Sequence, residues 1–155
     1  MLKIKEITTE EIIEKYPKIF QDYEGNPGQV NWYGVPDGWL HVIDWLCGAI
    51  QDYIDNVTIP KPNQNYVEGS KYDKDDITTH KSLYGHPTQV TCDQMKEKFG
   101  GLRFYETGGD ERVYGMIKMA EYICSQTCMS CSSMINTKTT QGWISVYCEE
   151  CMNQK

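Results

Sequence analysis

Two cysteine pairs near the C-terminal end constrain this chain more than any other feature. Cys128-x-x-Cys131 and Cys148-x-x-Cys151 are separated by sixteen residues. Each pair can grip one ion from a single tight turn, and four thiolates at about 2.3 Å complete a closed tetrahedron. The spacing falls in the range of a zinc ribbon. The expectation is therefore a Zn2+ ion held by Cys128, Cys131, Cys148 and Cys151. Four protein ligands leave no position for a catalytic water, so the ion reads as structural. Residues Gly142, Trp143, Ile144, Val146 and Tyr147 look like the strand leading into the second pair. The chain has seven cysteines, five of them in its last 32 residues. An odd count with paired spacing fits metal ligation in a reducing compartment better than a disulfide framework. Cys124 lies four residues before Cys128 and reads as a buried helix thiol, with substitution for a ligand as the alternative.

Three helices stand upstream of the ribbon. In "TTEEIIEKYPKIF", Thr8 and Glu11 have the spacing of a capping box, and Pro17 ends or kinks the helix. In "PDGWLHVIDWLCGAIQDYIDN", Asp37 is a candidate N-cap. There Trp39, Val42, Ile43, Leu46, Ala49, Ile50, Tyr53 and Ile54 recur at three- and four-residue spacing, the mark of a core-facing stripe. In "DERVYGMIKMAEYICSQ", Asp110 is a candidate cap, and Val113, Ile117, Ala120 and Cys124 share a face. "EGNPGQVNWYGVP" reads as loop from its Gly, Asn and Pro content. Residues 57–88, polar and broken by prolines and glycines, read as a long insert with at most a short element inside it.

Between insert and third helix lies "CDQMKEKFGGLRFYETGGD", where Gly100-Gly101 separates two β-prone runs. Both positions tolerate positive φ, which predicts a two-residue hairpin turn. In that register Phe99 faces Leu102, Lys98 faces Arg103, Glu97 faces Phe104 and Lys96 faces Tyr105. Alternation then puts Met95, Phe99, Leu102 and Phe104 on a core face, with Glu97 intruding. Lys96, Lys98, Arg103 and Tyr105 share the other face. Like charges facing each other are unfavourable without a partner. The partner is either one of the chain's own 22 acidic side chains or the phosphate or carboxylate of a ligand, for which arginine offers a bidentate fork and tyrosine a stacking surface. Trp39 or Trp32 would supply further stacking, although Trp39 also belongs to the apolar stripe.

The net charge of −7 argues against a general nucleic-acid binder, whose affinity comes from phosphate contacts. Within the ribbon, Lys138 is the only cation between the pairs, and Glu149 and Glu150 sit inside the last one. No apolar run approaches the ~18 residues that span a bilayer, and "MLKIKEITTEEII" has no signal-peptide core. The expectation is a soluble, cytoplasmic protein. None of the nucleophile-elbow, zinc-protease or deaminase signatures occurs. His41 lies near Asp44 at i, i+3, the spacing of a surface pair. His80 and His86 sit in the insert without partner spacing, and Cys47 and Cys92 read as small core residues. The chain therefore reads as a non-enzyme.

Taken together, "GWLHVIDWLCGAI", "QMKEKFGGLRFYET", "AEYICSQTCMSC" and "GWISVYCEEC" resemble a family of small uncharacterised proteins of tailed phages and prophages, over most of residues 36–152. The "KEKFGGLRFY" core and the paired CxxC carry the resemblance. The chain departs from that pattern in its insert after Asn56, and in Ser132, which stands where a knuckle glycine often follows the first CxxC. The resemblance implies a phage setting, hence action in the host cytoplasm, and little chemistry.

The resulting expectation is an α+β fold: a β-hairpin or small antiparallel sheet packed on two main helices, with a C-terminal zinc ribbon. Residues 1–126 form the core, with 57–88 as its insert, and residues 127–155 form the ribbon packed against it. The leading function is a zinc-containing phage accessory protein. It binds a small anionic, nucleotide-like ligand at Lys96, Lys98, Arg103, Tyr105 and Trp39, and so sequesters a nucleotide immune signal against host defence. The alternatives are a module that inhibits a host protein, and a nucleic-acid-binding ribbon, which the charge disfavours. Homo-oligomerisation stays open.

Overall fold

The computed structural model describes residues 6–22, 24–28, 32–57, 59–60, 84–85 and 87–154. The fold is α+β, with four α-helices and small sheets of three, two and two strands among the described residues. Among the described residues no helix is long and apolar enough to cross a membrane.

Helix α1, Thr9–Lys15, starts where its sequence says it should. The Thr8 hydroxyl accepts a hydrogen bond from the Glu11 amide at 3.2 Å, and the Thr8 amide donates to Glu11 Oε2 at 2.8 Å. This reciprocal pair satisfies two amides that the first helical turn leaves open. Ile12 anchors the helix in the core, and Lys15 Nζ reaches Asp44 at 2.8 Å.

The second helix begins differently from its sequence expectation. Asp37 is not an N-cap; it opens a 3-10 turn, Asp37–Trp39, that runs into α2, Leu40–Asn56, and no side chain caps either start. A tertiary contact holds this entry. The Gly38 amide donates to the Met129 carbonyl at 3.0 Å, and a Cβ at Gly38 would lie 2.2 Å from the Cys128 carbonyl oxygen. The first cysteine turn is seated directly on this glycine, and that contact sets the entry of the helix. The predicted stripe buries Val42, Ile43, Leu46, Ile50, Tyr53 and Ile54, joined by Leu40 and Cys47, while Ala49 is exposed.

Helix α3, Glu111–Ser125, is capped as expected. The Asp110 carboxylate accepts from the amides of Arg112 and Val113 at 3.0 and 3.2 Å. Val113, Ile117, Ala120 and Cys124 are buried, and α3 packs against α2 and the sheet.

The sheet is mixed. β1, Trp32–Tyr33, runs parallel to β4, Thr91–Lys98, which pairs antiparallel with β5, Gly101–Thr107, in the order β1-β4-β5. A two-residue ladder joins β2, Ile59–Pro60, to β3, Tyr84–Gly85, and brings the two ends of the polar insert together. The rest of the expectation for that insert, with His80 and His86, lies outside the described residues.

The hairpin register is corrected. The turn residues are Phe99 and Gly100, with φ of 51° and 75°. The pairs are Lys98 with Gly101, Glu97 with Leu102, Lys96 with Arg103, Met95 with Phe104 and Gln94 with Tyr105. Relative to the expected pairing, one strand slides two residues along the other, which preserves the side-chain alternation. Met95, Leu102 and Phe104 are buried as expected, whereas Phe99 sits at the turn with 72% of its surface exposed. Gly100 suits the second turn position, since its φ of 75° favours glycine and a Cβ there would lie 2.9 Å from Ile144 Cγ2 of the ribbon. Its amide donates to Glu97 Oε1 at 2.7 Å, which gives the one acidic residue of the inner face a role in closing the turn.

The ribbon consists of β6, Thr137–Thr139, antiparallel to β7, Val146–Cys148, followed by the short helix α4, Glu149–Met152. The expected strand from residue 142 begins only at Val146. Met129 belongs to the main core cluster, and its amide donates to the Val146 carbonyl at 2.9 Å.

Candidate metal centre and open sheet face

Cys128 and Cys131 occupy a tight turn after α3. The Cys128 amide donates to the Ser133 carbonyl at 2.8 Å, and the Ser132 amide to the Cys128 carbonyl at 3.1 Å. Cys148 ends β7 and serves as the N-terminal flank of α4, which carries Cys151. The four Sγ atoms all lie within 4.8 Å of one another, and Cys131 and Cys148 are 3.5 Å apart. The edges of a tetrahedron with 2.3 Å metal–sulfur bonds are ~3.8 Å, so the four cysteines can hold one metal ion. Cys124, buried in α3, is not one of them.

The electrostatics of the cluster favour a cation. Burial pushes the Cys128 thiol up, but the amides of Cys131, Cys148 and Ser130 outweigh it and bring the thiol down to about 7. Burial and then the Cys148 sulfur push Cys131 up. The sulfurs of Cys131 and Cys148 push Cys151 up. Negative charge collects on one sulfur and opposes ionisation of its neighbours, so four thiolates coexist there only when a cation shares them.

Ser132 adopts φ of 67°, the left-handed conformation that a glycine at this place would supply without strain. The knuckle keeps its shape and carries the cost of a Cβ. Ser132→Gly is therefore expected to stabilise the metal-loaded protein by about 0.5–1 kcal/mol, seen as a rise in melting temperature of ~1–4 °C.

The second assembly is the outward face of the sheet. Lys96, Lys98, Arg103 and Tyr105 lie on it together, opposite the buried Met95, Leu102 and Phe104. Lys96 Nζ stands 5.2 Å from the centre of the Tyr105 ring, and Lys98 Nζ 5.5 Å from that of Phe99. Arg103 Nη1 donates to the Leu102 carbonyl at 2.8 Å. Among the described residues the ion pairs are Lys15 with Asp44, Lys18 with Asp55 and Lys118 with Glu121, and none involves these three cations. Lys96 and Arg103, not Lys98 and Arg103, are the like charges that face each other across the strands.

The structure adds Tyr33 to this face. It pairs with Lys96 from β1 and is 55% exposed, and Tyr105 is 43% exposed. No sequence signal marked Tyr33, because its strand is two residues long and lies within a glycine- and proline-rich stretch. The structure removes Trp39 from the ligand set. Its ring is fully buried, and its Nε1 donates to the Thr127 carbonyl at 3.1 Å, so it joins the α2 entry to the ribbon and offers no stacking surface. Trp32 pairs with the buried Met95 and packs on Phe20 at 5.7 Å, so it also points inward.

The remaining candidate groups have structural surroundings. Cys47 and Cys92 are buried, and burial holds both thiols far above their ordinary range. His41 packs edge-on against Trp45 at 5.0 Å, while Asp44 is engaged by Lys15. Neither arrangement makes a nucleophile or an acid–base pair. No protein-family model, curated protein or solved structure matches the chain.

Proposed function

We propose that this protein is a zinc-stapled, non-enzymatic binding protein that captures an anionic, nucleotide-like ligand on its open sheet face. The observation that carries the reading is the set of three cations without ion-pair partners among the described residues, sharing one side of a three-stranded sheet with two exposed tyrosines. Unneutralised like charges on adjacent strands are unfavourable, and an anion relieves that repulsion while tyrosine rings take up a base by stacking. An all-thiolate donor set with ribbon spacing favours zinc over harder cations. The four thiolates fill the coordination of the metal, which closes the fold and holds no substrate. In a phage setting, such capture would sequester a nucleotide signal of host defence.

The test is Arg103→Glu. Binding of nucleotides by calorimetry is expected to weaken by at least about tenfold, the effect of a charge-assisted contact turned repulsive. The melting temperature is expected to stay within ~4 °C of the parent, since the change removes only one hydrogen bond, to Leu102. Unchanged binding, or collapse of the fold with no binding by the parent protein, contradicts the proposal.

A further inference from the structure

The layout of the open face specifies the ligand further. Tyr33, Lys96 and Arg103 form one row across β1, β4 and β5, and Tyr105 lies two residues beyond Arg103 along β5. Two strand spacings and two residue steps separate the tyrosine backbones by ~12 Å. Lys96 and Arg103 lie between them, and Lys98 continues the cationic line along β4. Neighbouring bases in a continuous stack are only ~3.4 Å apart. A single nucleotide can therefore place its base on one tyrosine and its phosphate on the cation pair, but it leaves the second tyrosine bare. The face is also the outward side of a three-stranded sheet with exposed tyrosines on it. Two grooves among the described residues lie elsewhere, one at Gly108–Glu111 and one between Val42, Leu46 and Met116. A tightly held mononucleotide is ordinarily buried over most of its surface in a concave site. Affinity on an open sheet comes instead from several bases stacking at once.

We infer that the ligand of this face contains at least two bases joined by a phosphodiester, splayed so that one base stacks on Tyr33 and the other on Tyr105, with the bridging phosphate on Lys96 and Arg103. This rests on the anion-binding reading of the same face. A free dinucleotide and a stretch of single-stranded RNA or DNA share this chemistry.

The experiment titrates the full-length, zinc-loaded protein with adenosine monophosphate, a linear adenylyl dinucleotide, a cyclic dinucleotide and a short oligouridylate. The dinucleotides or the oligomer are expected to bind at least about tenfold more tightly than the monophosphate. Tyr33→Ala is expected to reduce them to the level of the monophosphate without shifting the melting temperature. The slope of log K against log salt is expected to be no steeper than about −2, from three cations at ~0.7 each on a single strand. Affinity that rises from dinucleotide to oligomer identifies a strand, and equal affinity identifies a free dinucleotide. A monophosphate that binds as tightly as both overturns the two-base inference and leaves anion binding standing. No binding of any probe overturns both. Full dinucleotide affinity in the Tyr33→Ala variant overturns the placement of the first base.

Discussion

Stripping the metal from the four-cysteine cluster is expected to lower the melting temperature of the protein by ~6–20 °C. The Sγ atoms lie within 4.8 Å of one another, and without a cation burial and neighbouring sulfurs push the thiols of Cys131 and Cys151 toward the protonated form. Metal binding at such a site is folding free energy, on the order of 10 kcal/mol in isolated zinc peptides. Here the turn also docks on the main core through Met129 and through the Thr127 carbonyl that receives Trp39, so its loss reaches beyond the ribbon. A net loss of about 3–5 kcal/mol, the part not offset by the packed core, corresponds to the stated shift. Calorimetry with and without a chelator measures it, and stoichiometric zinc is expected to restore the original transition. Cys148→Ala is expected to reproduce the chelated state and to be insensitive to added zinc. A melting temperature unchanged by chelation contradicts a structural metal.

Gly38→Ala is expected to cost about 3 kcal/mol, or ~6–12 °C, which is a large effect for one methyl group. The added Cβ would meet three backbone atoms: the Cys128 oxygen at 2.2 Å, the Met129 carbon at 2.6 Å and the Met129 oxygen at 2.7 Å. Backbone cannot rotate out of the way as a side chain can. The α2 entry and the cysteine turn must separate, and the Gly38 amide and the Trp39 indole lose their acceptors. The variant is therefore also expected to release zinc faster to a competing chelator. Gly115→Ala is the matched control, because a Cβ there meets nothing within 4 Å on α3; a helix-interior alanine is expected to stabilise by about 1 kcal/mol. Equal effects of the two substitutions would show that the ribbon does not depend on its seat at Gly38.

Local signals in the chain were readable wherever a short stretch settles its own conformation. Thr8 with Glu11 and Asp110 with the first α3 amides cap their helices from side chains a few residues away. The stripe from Val42 to Ile54 faces inward because helical spacing alone puts it on one side. The cationic face survived an error in pairing, since a two-residue slide leaves each side chain on its own side of the sheet. What was hidden depends on contacts distant in sequence. The turn falls at Phe99 and Gly100, where a Cβ on Gly100 would crowd Ile144 of the ribbon. Asp37 opens a 3-10 turn instead of capping, and the next amide docks on Met129. β1 exists only by pairing with residues more than sixty positions later, so Tyr33 carried no periodic signature. Trp39 satisfies the apolar stripe and not the stacking role because Thr127 receives its indole.

The outward sheet face is the proposed binding surface. It is tested most directly by following backbone amide NMR resonances while the linear adenylyl dinucleotide is added to the zinc-loaded protein. The expected result is saturable shifts concentrated at Tyr33, Lys96, Lys98, Arg103 and Tyr105, with Cys128, Cys148 and the α2–α3 groove at Trp45 and Met119 unaffected. Shifts centred on that groove or on the ribbon, or none at millimolar ligand, would contradict it.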